Sequence, residues 1–202
     1  MFTYWIADFA DLTRQTIFPA AVAVAAGGAL VVTALSAYRA ADRVKRKDTL
    51  EAWVKWSDDT REARRDVLRV LGEGQFTQDQ AKALAGDAGD ELRDKHNTVL
   101  EEAERRRLSD EVHDILNGLE RLAVGVRLGI YDVAVFRRMG RTIIALHCER
   151  FEPFITVKQN ANPTTERGSG PYTELAVLYR MIQGPRLIKI LRGRGRTVDI
   201  AG

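Results

Sequence analysis

Cysteine is almost missing from this chain: Cys148 is the one example in 202 residues. That excludes an internal disulfide and a cysteine-based zinc site, and it suits a reducing compartment. Period-two alternation of apolar and polar residues is also missing, so no sheet is expected. No internal repeat is visible, and no catalytic or ligand motif of high specificity is present. Charge is missing from one place in particular, the stretch IFPAAVAVAAGGALVVTALSAY from Ile17 to Tyr38.

At about 1.5 Å per helical residue, those 22 positions reach roughly 33 Å, enough for a hydrocarbon core of roughly 30 Å. The stretch therefore reads as a transmembrane helix. A cleaved secretory signal would put its positive charge first, and a buried helix of a soluble protein is the other alternative. Arg14, Asp8 and Asp11 precede the stretch, whereas Arg39, Arg43, Lys45, Arg46 and Lys47 come after it. This asymmetry predicts a single-pass inner-membrane protein with its amino terminus outside and its larger part cytoplasmic. Pro19 suits helix initiation, and Gly27, Gly28 and the surrounding alanines offer a small-residue face on which a homo-oligomer could pack. Residues 1–16 read as a short leader outside the cytoplasm, 17–38 as the span, 39–48 as a basic juxtamembrane belt, 49–183 as a helical domain and 184–202 as a basic tail.

The sequence pI near 9.1 invites a nucleic-acid reading, but the charge is unevenly placed. From Thr49 to Gln183 there are 20 Lys and Arg against 23 Asp and Glu, a net of −3. The basicity sits in the belt and in the tail. A mildly acidic body between basic ends fits an anionic inner leaflet better than nucleic acid, which is not expected as a partner. The residues expected at the membrane surface are Arg39, Arg43, Lys45, Arg46 and Lys47, with Arg186, Lys189 and Arg192 in the tail. That tail also reads as a segment docked on the core, or as an RNA-binding arm.

The body is read as all-α. Leu50, Trp53, Val54, Ala63, Val67, Leu68 and Leu71 fall at helical spacing, and Gly72 is placed to end that helix. Thr77 is an N-cap candidate for a short helix with Ala81 and Leu84. Glu91 to Arg107 reads as a solvated helix. The clearest amphipathic face is Leu108, Val112, Ile115, Leu116, Leu119, Leu122, Ala123 and Val126, the expected core helix, ending near Gly129. Asp132 caps a helix carrying Val133, Val135 and Phe136, Gly140 breaks that helix, and Pro153 shortens or kinks the next one. Val157 to Gly170 reads as a loop, and Tyr172 to Ile182 as the last core helix.

Five features in this order carry a resemblance: the amino-terminal span, KRKDTLEAW (Lys45 to Trp53), LNGLERLAVGVRLGIYD (Leu116 to Asp132), PFI (Pro153 to Ile155) and a late tyrosine helix. Together they resemble the family known as domain of unknown function 4760, over most of the chain except the basic tail. The resemblance implies a helical architecture and a bacterial or prophage setting. It implies no activity.

Asn117 and Glu120 sit on the most apolar helix, where a polar group needs a partner. They either satisfy a neighbouring helix end or an arginine, or they line a cleft. Asp110, Glu111, His113 and Asp114 offer metal-capable atoms but only one imidazole and no second ligating helix, so no metal is expected. His147 beside Cys148 is a poor dyad, because adjacent helical side chains point about 100° apart. Arg141 and His147, in RTIIALH, resemble the R-x(4-6)-H signature of helical ribonucleases of the HEPN class, with Thr142 where that class has Asn, Asp or His. The resemblance implies His147 as acid or base and Arg141 on the phosphorane. The preferred reading is non-catalytic and cofactor-free: a membrane-anchored cytoplasmic helical module acting on an unknown protein partner as a scaffold, sensor or prophage-type exclusion factor. The membrane-tethered ribonuclease is the alternative.

Overall fold

The computed structural model describes residues 18–86, 91–161 and 170–183, with side chains from residue 26 onward. The described residues are helical: α1 (Phe18–Asp59), α2 (Arg61–Leu71), α3 (Gln78–Ala85), α4 (Glu102–Arg127), α5 (Val133–Val135), a π-helical turn (Phe136–Gly140), α6 (Arg141–Ala161) and α7 (Thr173–Gln183). The leader 1–16 and the tail 184–202, with Arg186, Lys189 and Arg192, lie outside the described residues. The chain divides into two compact units, Met1–Lys45 and Arg46–Gly202.

In the first unit, Leu30, Val31, Val32, Leu35 and Tyr38 are exposed. Among the described residues no helix is long and apolar enough to cross a membrane. This overturns the assignment of residues 17–38 as a transmembrane helix. The single-pass inner-membrane placement, with the amino terminus outside and a cytoplasmic domain, falls with it. The helix runs on from this stretch through Arg39 and Arg43 without a break. Arg39, Arg43 and Lys45 belong to this unit, and Arg39 and Arg43 are exposed.

The second unit is built around α4, which packs on α2, α3 and α7, while α6 packs on α3 and α7. Leu108, Val112, Ile115, Leu116, Leu119, Leu122 and Ala123 are buried along one face of α4, as the 3.6-residue spacing requires. Two glycines let aromatic rings reach the α4 backbone. A Cβ on Gly118 would overlap the Trp56 ring, and a Cβ on Gly125 would overlap the Tyr131 ring. Trp56 Nε1 donates to Ile115 O at 3.3 Å, so its polar edge is satisfied inside the core. Trp53 stacks at 4.9 Å on Trp56 and meets Phe136 edge-on at 5.8 Å.

Asp132 starts α5 as an N-cap, its carboxylate accepting from Ala134 N at 2.8 Å. Its own N–H donates to the buried Thr49 Oγ1 at 2.8 Å, and its carboxylate meets Arg46 Nε at 3.2 Å. Lys47 pairs with Glu51 at 3.4 Å along α1. Thr77 caps α3 in a full capping box with Gln80. The far end of α3 has its carbonyls taken by side chains: Arg105 donates to Ala83 O, Ser109 to Leu84 O and Lys158 to Ala85 O. Arg150, buried over Phe76 and Phe151, closes the end of α2 by donating to Gly72 O.

Several local expectations differ from the structure. Leu50, Val54 and Leu68 are exposed, and the buried positions of α1 in this unit are Thr49, Trp53 and Trp56. Glu91 to Arg107 is helical only from Glu102. The Asp94 carboxylate accepts from His96 N and Thr98 N, and Asn97 takes φ 67°, which turns the chain back so that Leu100 N bonds Leu92 O. Gly140 does not end its helix: it closes the π-helical turn, with Trp53 Cη2 placed 3.1 Å from where a Cβ would be. Pro153 is buried and α6 continues past it to Ala161, so the connection expected from Val157 begins later. Residues 162–169 lie outside the described residues.

A Gly125→Ala change should drive Tyr131 off α4 and cost about 1–3 kcal/mol. Urea unfolding of the full chain followed by circular dichroism measures it, and an unchanged midpoint would contradict the packing.

Candidate functional site

The residues with chemistry to offer gather where α4, α6 and the start of α7 meet. His113, Asn117 and Glu120 come from α4, Lys158 from α6, and Gly170, Pro171 and Tyr172 lead into α7, around a cavity of about 410 Å³. His113, Asn117 and Glu120 share a face because they are three and four residues apart. Both Glu120 oxygens are engaged: Oε1 accepts from Glu174 N at 3.0 Å and Oε2 from Leu175 N at 2.6 Å. The carboxylate therefore holds the first turn of α7, whose N–H groups have no partner within the helix. Burial raises the Glu120 carboxyl above its ordinary range, and these two N–H donors oppose that.

Tyr172 adopts φ 62°, uncommon for a residue with a Cβ, and places its buried ring against α4. Its hydroxyl is 2.8 Å from His113 Nδ1. Burial pushes the Tyr172 phenol up to about 12, with the Glu120 charge adding to it. Burial also lowers His113, and the Lys158 ammonium adds to the effect, so the imidazole is neutral at pH 7. Its ring packs edge-on against Phe154 at 5.1 Å. Lys158 lies over the same Phe154 ring at 5.6 Å. Asn117 is exposed at the cavity wall. The cleft can offer amide, imidazole and ammonium groups to a polar ligand, and among the described residues it places no nucleophile beside a free base.

Arg141 and His147 are turned to different surroundings. Arg141 is exposed, with Nη2 3.4 Å from Gln183 O at the end of α7. His147 is 8% exposed, its Nδ1 2.7 Å from Ile143 O of its own helix and its ring edge-on to Trp56. Because Nδ1 faces a carbonyl, it carries the proton, and burial lowers the imidazole to about 4. Burial pushes the neighbouring Cys148 thiol up to about 12, which removes thiolate character. Among the described residues, no group of three His, Cys, Asp or Glu side chains is placed to hold a metal ion. Lys158 is a cleft residue that the sequence does not single out, and Tyr172, expected only as a member of the last core helix, lines the cleft as well. The signal for Tyr172 is slight, a Gly-Pro pair before a helix, and Lys158 has none.

The fold also gives each motif residue a place. Gly118 and Gly125 admit Trp56 and Tyr131, Glu120 holds α7, and Asp132 caps α5, donates its N–H to Thr49 and accepts from Arg46. The model of the family described as Domain of unknown function (DUF4760) matches residues 23–167. The chain belongs to this family. Among curated proteins and among solved structures, no match to the chain is found. In this DUF4760 chain, the motif from Leu116 to Asp132 reads physically as a docking strip for α1, α5 and α7.

Glu120→Ala should cost about 1–2 kcal/mol and raise hydrogen exchange in Thr173–Gln183 more than in α3. A uniform change in exchange would contradict the local role. His147 has a folded pKa of about 4 against an ordinary 6.5, so the unfolded chain binds the extra proton between those values. Its contribution is therefore fully present above about pH 6.5 and lost as pH falls toward 4, by at most about 3 kcal/mol. Unfolding free energies at pH 7 and pH 5 should differ less in His147→Gln than in the parent chain. An equal difference would contradict the buried neutral imidazole.

Proposed function

We propose that this DUF4760 chain is a helical interaction module that recognises a partner and does not transform it. The cleft at His113, Asn117, Glu120, Lys158 and Tyr172 is its recognition point. One observation supports this reading above others: the side chains that the sequence offers for chemistry are withdrawn into the packing or engaged at helix ends. His147 is a neutral core group, Cys148 is a half-buried, protonated thiol, Glu120 closes the start of α7, and Arg141 sits at the end of α7. Catalysis needs a base or nucleophile that can reach a reacting atom, and the ribonuclease alternative has no such pair in this arrangement. A cavity of about 410 Å³ with an exposed amide at its wall suits recognition of a polar side chain or chain end. Such a module serves as a scaffold or a sensor.

A photocrosslinking amino acid at Asn117, compared with one at exposed Arg65, tests the reading in the cell that makes the protein. Capture of one discrete protein from position 117 but not from 65 is expected. The purified full chain should also leave a labelled RNA intact. RNA cleavage abolished by Arg141→Ala in a folded variant would sink the reading.

A further inference from the structure

The opposite end of α7 presents a second surface, which goes beyond the cleft reading. We propose that Arg137, Arg138, Met139, Arg141, Arg180 and Met181 form a docking surface for an acidic, partly apolar segment of another protein. Arg137 donates through Nε and Nη2 to Met181 O at 3.2 and 3.0 Å, and Arg141 reaches Gln183 O at 3.4 Å. These bonds tie the π-helical turn and α6 to the last carbonyls of α7, and they satisfy the carbonyl end of that helix without neutralising any charge.

The four arginines form no ion pair among the described residues, although such pairs are frequent elsewhere in the chain. No acidic residue occurs from Val133 to Cys148, and the acid of α7, Glu174, lies in its first turn and pairs with Arg127 at 3.0 Å. Glu149, the next acid along α6, is engaged by the Tyr179 hydroxyl at 3.0 Å, so none of the four guanidinium groups is neutralised by an ion pair with a described residue. Next to these arginines in the chain are two exposed thioethers, Met139 at 51% and Met181 at 43%. Arginine and methionine are the residue types enriched where proteins meet, and methionine adapts its shape to a partner. No aromatic side chain stands among these six for a base to stack on, which favours a protein segment over single-stranded nucleic acid. The turn that aims Arg137 to Met139 outward is π-helical, a local form often found at functional sites.

The test measures anisotropy of a labelled 20-residue peptide of glutamates with leucines at helical spacing, added to the full chain at about 0.15 M salt. A peptide of the same charge without leucines and a 20-nucleotide RNA serve as comparison probes. The leucine-bearing peptide should bind, and R138E/R180E, both at exposed positions, should weaken it by about tenfold or more. Met139→Ser should weaken it by a few fold, while R65E on α2 should leave it within about twofold. Thermal unfolding of each variant confirms that the fold is kept. Equal affinity in R138E/R180E, no binding by the parent chain, or tighter binding of the RNA than of the peptide would overturn the proposal. The cleft does not enter this measurement, so its failure and that of the crosslinking at Asn117 are separable.

Discussion

The seat of Trp56 on Gly118 is the contact on which the second unit depends. An indole can lie against a helix backbone only where a Cβ is missing, and once there it needs an acceptor for its N–H, which Ile115 O supplies. Trp53 stacks on that ring and reaches Phe136 and the closing glycine of the π-helical turn. Arg64 lies 5.1 Å over the same indole and donates to Ser57 O and Thr60 O, joining the end of α1 to the start of α2. His147 also packs edge-on against it. Shift the indole, and α1, α2, the π-helical turn and α6 lose their common reference.

The same arrangement accounts for the chemistry that is not on offer. A histidine buried against tryptophan is neutral, and a thiol beside it is protonated, because both charged forms would have to leave water. The polar groups of the core answer to helix ends: Glu120 to the start of α7, Arg150 to the end of α2, and Arg105, Ser109 and Lys158 to the end of α3. Helix termini leave unpaired N–H and C=O groups, and a bundle of short helices has many of them. Much of the side-chain polarity inside this unit is explained by that requirement. The outside keeps the cleft at Asn117 and the arginine and methionine surface at the other end of α7.

Sequence periodicity made the all-α architecture, the α4 face and the caps at Thr77 and Asp132 legible, because each is decided within one or two turns of chain. It failed where the decision was made elsewhere. Leu50, Val54 and Leu68 have core-type side chains, yet they sit on faces of α1 and α2 that no described residue covers. Gly140 carried the mark of a helix end, but its missing Cβ serves Trp53, which lies 87 positions earlier in the chain. The uncharged run near the front predicted a membrane span from its length, lack of charge and basic flank, yet among the described residues no helix is long and apolar enough to cross a membrane. Of the candidate site, Asn117 and Glu120 were visible as polar residues on an apolar helix. Tyr172 was visible only as a core position and Lys158 not at all, since only the tertiary fold brings them to α4.

A double-mutant cycle on Gly118 and Trp56 tests the central contact most directly. Unfolding free energies are measured for the parent chain, Gly118→Ala, Trp56→Leu and the double variant. If the glycine exists to admit the indole, Gly118→Ala is costly in the parent and nearly neutral in the Trp56→Leu background, a coupling of about 1–2 kcal/mol. Additive effects within about 0.5 kcal/mol would contradict the account.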